Sequence, residues 1–285
     1  MTLTSTGEIV AAARAAGQGV GALNVIQLEH AEAIAAGAET AKRPVLLQIS
    51  ENCVRYHGAL RPLALASRAV AEAAAVPVGL HLDHAESEDL VQEAVALGFT
   101  SVMFDASQLD YRDNVERTTR VTSRCHEAGV FVEAELGEVG GKDGAHAPGV
   151  RTDPEEAALF VEATGVDALA VAVGTSHAMT SKDAALDYDL IAELQTAVPV
   201  PLVLHGSSGV SNEGLVRAIR SGMTKVNVAT HFNVVFTSAA RDYLAANPDV
   251  VDTRKYLGAA RAAMADEVQQ LLTLFAEARR GGRVS

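Results

Sequence analysis

Short runs rich in valine, leucine and isoleucine recur along the chain, separated by longer stretches with apolar residues every three or four positions. The short runs predict strands at Gly21–Val25, Val45–Ile49, Val78–Asp83, Ser101–Phe104, Val130–Glu135, Ala168–Val173, Pro201–Leu204 and Thr224–Val228. The longer stretches predict amphipathic helices over 28–41, 61–75, 86–97, 110–128, 154–164, 187–196 and 211–221. Ser87 ahead of Glu88 and Asp89, Asp153 ahead of Pro154, and Ser211 ahead of Asn212 and Glu213 supply helix starts. Gly98, Gly129, Gly165 and Gly222 each follow a helical run, where glycine takes a left-handed turn cheaply. Strands alternating with helices in this way predict an α/β fold, a (β/α)8 TIM barrel. A doubly wound sheet is the alternative, because alternation alone does not show closure. Nothing reads as a linker, so residues 1–285 are expected to form a single barrel domain with a C-terminal helical extension from about 252. The stretch from Thr253 to Gly281, rich in alanine and leucine, predicts one long helix or a helix pair that packs on the barrel and joins subunits into a homodimer or homotetramer.

Composition narrows the partners. Apolar residues make up 48% of the chain, enough for a substantial core. A net charge of −13 with no basic run argues against nucleic acid or an anionic membrane, while a small anionic substrate can still meet a locally positive site. Cys53 and Cys125 give no disulfide framework, and neither a signal segment nor a membrane span appears, so the expected location is the cytoplasm.

Chemistry in such a barrel collects at the C-terminal ends of the strands. Asn24, Asp83-His84, Asp105, Glu133 and Glu135, His177, His205-Gly206 and Asn227 all fall there. His84, His177 and His205 make a zinc site with an open position for water or substrate, and the absence of a nearby cysteine excludes a cysteine-rich structural site. Asp105 and Glu135 orient a histidine or serve as alternative ligands. Regular alternation puts His81 and Asp83 on one strand face and His84 on the other, so a common site requires the strand to end or twist at that pair. His81 reads as a structural hydrogen-bonding residue. Glycine and hydroxyl groups in His205-Gly206-Ser207-Ser208-Gly209 and Asn227-Val228-Ala229-Thr230 precede helix starts after strands 7 and 8, the usual phosphate position. The glycine-rich stretch from Gly137 to about Arg151 reads as a lid.

The segments HLDH at 81–84, SVMFDAS at 101–107, VEAELGEVGG at 132–141, VAVGTSH at 171–177, LHGSSG at 204–209 and KVNVAT at 225–230 resemble the class II, zinc-dependent fructose-bisphosphate and tagatose-bisphosphate aldolases. The resemblance spans roughly residues 5 to 265. It implies one catalytic zinc on His84, His177 and His205, and Asp83 exchanging a proton with the C4 hydroxyl. It also implies Asp105 and Glu135 near an alternative metal position, and Gly206, Ser208, Asn227 and Thr230 around dihydroxyacetone phosphate, with Asn24 and Ala229 beside them. Gly140 matches a lid glycine. Three positions depart from the pattern. Ala178 replaces a glycine that helps bind phosphate and a monovalent cation, Lys142-Asp143 stands where a glutamate segment is usual, and His231 stands where relatives commonly carry an acid. They bear on the sugar, and on the role of Asp143 in proton exchange at carbon, rather than on the metal chemistry. Relatives often bring a basic residue from a neighbouring subunit to the distal phosphate, and Arg254 or Arg261 would match. The implied activity is that of a carbon–carbon lyase of carbohydrate metabolism, such as glycolysis, cleaving a ketose phosphate through a metal-stabilised enediolate. The alternatives are a family aldolase acting on a ketose without a distal phosphate, a Schiff-base aldolase using Lys225, a zinc hydrolase on the same barrel, and a binding protein that has lost turnover.

Overall fold

The computed structural model describes residues 3–136, 151–175 and 185–278. Eight parallel strands pair in chain order: β1 (Val20–Asn24), β2 (Val45–Ser50), β3 (Val78–Ala85), β4 (Ser101–Phe104), β5 (Phe131–Leu136), β6 (Ala168–Val171), β7 (Leu202–Leu204) and β8 (Met223–Val228). The ladder from Val20 opposite Lys225 to Leu23 opposite Val228 joins β1 to β8 and closes the barrel. That ladder removes the doubly wound alternative.

The helices are α1 (Thr6–Ala16), α2 (Leu28–Ala41), α3 (Glu51–His57), α4 (Arg61–Ala73), α5 (Glu88–Ala96), α6 (Tyr111–Glu127), α7 (Pro154–Thr164), α8 (Tyr188–Ala197), α9 (Asn212–Ser221), α10 (Thr230–Ala246) and α11 (Thr253–Glu277). The expected caps form: Ser87 Oγ accepts from Leu90 N, Asp153 Oδ1 from the amides of Glu155 and Glu156, and Ser211 Oγ from Gly214 N. Two helices are additions to the sequence reading. On α1, Ile9, Val10 and Ala13 pack with Val20, Ala22 and Leu46, and the Thr6 hydroxyl meets those of Thr100 and Ser101 at 2.8 Å. It therefore covers the end of the barrel where the strands begin. On α3, one short segment lies between the Ser50 cap and Gly58, too brief for a helical period to show in sequence. The C-terminal extension is one long helix, α11, lying against α2 at Gly37. A Cβ there would stand 2.5 Å from the Ala265 carbonyl oxygen, so glycine permits the close approach. No helix among the described residues is long and apolar enough to cross a membrane.

His30, on the inner face of α2, makes the fold sensitive to acid. Its Nδ1 accepts from Ile26 N at 3.3 Å and its ring meets Phe236 edge-on. Burial, only partly offset by Glu29, pushes the imidazole down to about 4. The unfolded chain then binds the extra proton between pH 6.5 and 4, so stability is lost as pH falls through that window. Between pH 7 and pH 5 the native protein should lose about 2 kcal/mol more than a His30→Gln variant. An equal shift of the urea midpoint between pH 7 and pH 5 in the native protein and the His30→Gln variant would contradict this role of His30.

Candidate active site at the barrel rim

The break that β3 needs is present. His84 has φ +49°, in the left-handed region that costs a residue with a Cβ about 1–2 kcal/mol. The β3–β4 register shifts between Leu82 and Ala85 at the same place. The bulge turns two adjacent residues to one side of the strand. Asp83, His84 and His205 consequently offer ligand atoms that all lie within 4.8 Å of one another. The two imidazoles meet edge to face, with centroids 4.8 Å apart.

Each histidine is gripped by carboxylates. Asp105 Oδ2 lies 2.7 Å from His84 Nδ1, and Asp105 Oδ1 accepts from the Ser107 hydroxyl at 2.6 Å. That leaves His84 Nε2 as the nitrogen for a metal. His205 Nε2 lies 3.1 Å from Glu133 Oε1, and its Nδ1 lies 3.0 Å from Glu135 Oε2. Burial works against a charged imidazole here, yet the two carboxylates outweigh it and carry His205 up to about 9. Two imidazoles and a carboxylate converge with further carboxylates behind them, a donor set that fits a zinc-type dication. Asp83 is also buried, which would raise its carboxyl. The positive neighbours His84, His205 and Lys225 prevail and hold it below the ordinary range. Asn227 Nδ2 donates to Asp83 Oδ1 at 3.2 Å.

Beneath the rim lies a second polar layer that the sequence reading did not assemble. Lys225 Nζ is 2.8 Å from Glu133 Oε2, donates to Asn227 Oδ1 at 2.8 Å and lies 3.3 Å from His81 Nε2. His81 Nδ1 pairs with the Ser101 hydroxyl at 2.8 Å. Burial, with Lys225 beside it, pushes His81 down to about 3, so it is a neutral hydrogen-bonding residue. Of this layer, Glu133 was the residue with a missed role. A signal was available: Glu133, Lys225 and His81 each stand two positions before Glu135, Asn227 and Asp83, and a strand returns to the same face every second residue.

The loops after β7 and β8 are tied to each other. Gly206 takes φ +64° ahead of the 3-10 turn Ser207–Gly209, the Ser207 hydroxyl donates to the Asn227 carbonyl, and His231 N donates to Ser208 Oγ at 3.2 Å. Ala229 precedes α10, whose first residue is Thr230. The Thr175 hydroxyl holds the His205 carbonyl at 2.7 Å. Asn24 Oδ1 accepts from Gln48 at 2.9 Å. His231 Nε2 pairs with Glu267 of α11 at 2.6 Å. Arg254 pairs with Asp252, and Arg261 with Glu32 of α2. Gly140, Asp143, His177 and Ala178 lie outside the described residues.

Residues 4–280 match the family model for class-II fructose-bisphosphate aldolase. The chain is 41% identical to a fructose-bisphosphate aldolase of Thermus caldophilus, over 94% of this chain and 96% of that one. The crystal structure of the YdjI aldolase from Escherichia coli K12 superposes with a TM-score of 0.84 at 30% identity, covering 96% of this chain and 97% of that one. A fructose-bisphosphate aldolase from Campylobacter jejuni, at 24% identity, shares the fold with a TM-score of 0.80 over 96% of each chain. With a match along nearly its whole length and a buried carboxylate set among paired histidines, the chain belongs to the class-II fructose-bisphosphate aldolase family and is a carbon–carbon lyase of that class.

Proposed function

We propose that the protein is a zinc-dependent aldolase that reversibly cleaves fructose 1,6-bisphosphate or a related ketose phosphate to dihydroxyacetone phosphate and an aldehyde. The observation that carries this reading is the convergence of Asp83, His84 and His205 within 4.8 Å. His84 and His205, joined by His177, would hold the ion. When bound, zinc supplies a Lewis acid for the negative charge that develops on the ketose oxygens. The chain's own groups do the rest. Asp83, kept ionised by its neighbours, takes the C4 hydroxyl proton as the carbon–carbon bond breaks and returns it in condensation. Asn227 fixes that carboxylate through its Oδ1. Gly206, Ser208, Ala229 and Thr230, with the first amides of α10, seat the phosphate and fix the cleaved bond over the site; a monovalent cation beside the phosphate belongs to the same reading. Asp105 orients His84 and Glu133 holds His205 from below, with Glu135 beside the nitrogen that would meet the ion. Asp143 would exchange the proton at carbon, and Gly140 and Asn24 would border the substrate.

The experiment is zinc removal by a chelator followed by restoration. Cleavage of fructose and tagatose bisphosphates should vanish and then return, with a triose phosphate among the products. Unchanged turnover after chelation would defeat the metal reading, and hydrolysis without a triose would point to the hydrolase. Borohydride should trap no adduct, since Lys225 is fully buried among Glu133, Asn227 and His81. A ketose with no distal phosphate is the second reading, favoured by the pairing of Arg254 with Asp252 and of Arg261 with Glu32 within the chain. Including a singly phosphorylated ketose in the assay separates the two. The same proposal includes a homodimer or homotetramer in which Arg254 or Arg261 meets a neighbour's substrate.

A further inference from the structure

We propose that Lys225 is a positioning residue that sets, from one buried ammonium, both the orientation of the acid–base Asp83 and the orientation of the metal-binding His205. This rests on the aldolase reading for the roles of those two residues. The placement of Lys225 stands on the geometry alone.

An ammonium has three N–H donors and no acceptor. In Lys225 they meet Glu133 Oε2 at 2.8 Å, Asn227 Oδ1 at 2.8 Å and His81 Nε2 at 3.3 Å, with the side chain fully buried. The first leg runs toward Asp83. An asparagine amide has an acceptor end and a donor end, and either can face a neighbour. Lys225 has only donors to offer, so it takes Oδ1 and turns Nδ2 outward. Nδ2 then donates to Asp83 Oδ1 at 3.2 Å. With the amide reversed, an oxygen would face the Asp83 carboxylate and the contact would become repulsive.

The second leg runs toward His205. Glu133 has two oxygens with two different partners: Oε2 faces Lys225, and Oε1 faces His205 Nε2 at 3.1 Å. With one oxygen fixed by the ammonium, the other receives the imidazole from below, and Nδ1 points toward the rim beside Glu135. A carboxylate holding the second nitrogen of a metal-binding histidine fixes the ring, and losing such a partner typically lowers metal affinity by about 10–100-fold. His81 completes the arrangement. It is neutral, accepts from Lys225 through Nε2, and is anchored through Nδ1 to Ser101, whose hydroxyl meets Thr6 of α1. The ammonium is therefore located by the helix that closes the far end of the barrel.

Two variants separate the legs. Lys225→Met removes all three donors at similar volume. It should lower kcat by about a hundredfold with KM within about threefold, and weaken zinc binding, measured by chelator competition on the metal-free protein, by about tenfold. Its cobalt-substituted form should show an altered visible absorption spectrum. Because that change also strands the Glu133 charge, Glu133→Gln combined with Lys225→Met is the decisive protein. It leaves neither Lys225 nor Glu133 as a stranded charge, and the amide oxygen introduced at position 133 would still accept from His205 Nε2. We expect folding to return and zinc affinity and the cobalt spectrum to recover only in part, because no ammonium fixes the amide at position 133, while cleavage stays low because Asn227 remains unanchored. On an Asn227→Ala background, adding Lys225→Met should cost little further kcat. Recovery of cleavage with folding in the paired variant would overturn the proposal and leave Lys225 a plain counter-charge. Full additivity with Asn227→Ala, or unchanged zinc affinity in folded Lys225→Met, would do the same. If the native protein cleaves no ketose phosphate, the aldolase reading fails, and zinc affinity with the cobalt spectrum still tests the His205 leg by itself.

Discussion

Asp83→Ala is expected to keep its zinc and lose cleavage, with kcat falling by about 10²–10⁴, the range supplied by a positioned acid–base group. The geometry makes this a demanding test. An oxygen of Asp83 belongs to the same 4.8 Å cluster as the nitrogens of His84 and His205, so position alone leaves the carboxylate a competing ligand. Its surroundings argue for proton transfer. Oδ1 is held by Asn227, and His84, His205 and Lys225 overcome burial to keep the group ionised at neutral pH. Asp105, by contrast, is spent on His84 Nδ1 and the Ser107 hydroxyl, as an orienting carboxylate is. Chelator competition on the purified variant gives the zinc affinity, and a coupled triose-phosphate assay gives kcat. If zinc affinity collapses along with cleavage, Asp83 is a ligand, and the base must be sought among the neighbouring carboxylates.

Much of the rim of this barrel was readable because most of its strands end in polar or ionisable residues. Period and caps located the strands and outer helices, and the strand-end rule then gathered Asp83, His84 and His205, with Asp105, Glu135 and Asn227 in contact with them. Alternation alone separated Asp83 from His84. Nothing in His81-Leu82-Asp83-His84 announces a bulge, because the left-handed turn falls on a histidine rather than on a glycine. The second layer was hidden for a different reason. Glu133, Lys225 and His81 look like isolated charges in apolar strands, and only closure of the barrel shows that β3, β5 and β8 bring them to one point. The same applies to α1, whose Thr6 acquires a purpose only when Ser101 stands opposite. The pairing of His231 with Glu267 likewise depends on α11 crossing beside α10, which no local pattern encodes.

The largest stability effect should come from Glu133, at the junction of the two layers. Burial alone would push this carboxyl up, but the Lys225 ammonium and then the His205 hydrogen bond hold it well below the usual range, so it is an anion in the folded chain. Glu133→Leu fills the space and removes that anion, which leaves Lys225 charged in a fully buried position and takes from His205 Nε2 the carboxylate it faces. Breaking a buried pair from one side costs about 3–5 kcal/mol, far more than a surface pair would. Glu133→Leu should therefore unfold at much lower urea than the native protein, and zinc affinity in whatever remains folded should fall by about 10–100-fold. Glu133→Gln should be milder on both counts, because an amide oxygen still faces His205. If Glu133→Leu costs less than about 1 kcal/mol, Lys225 must find another partner or lose its proton, and the buried trio would not be what holds the base of the site together. A large loss of stability with zinc affinity untouched would instead confine Glu133 to the barrel interior, with no part in aiming His205.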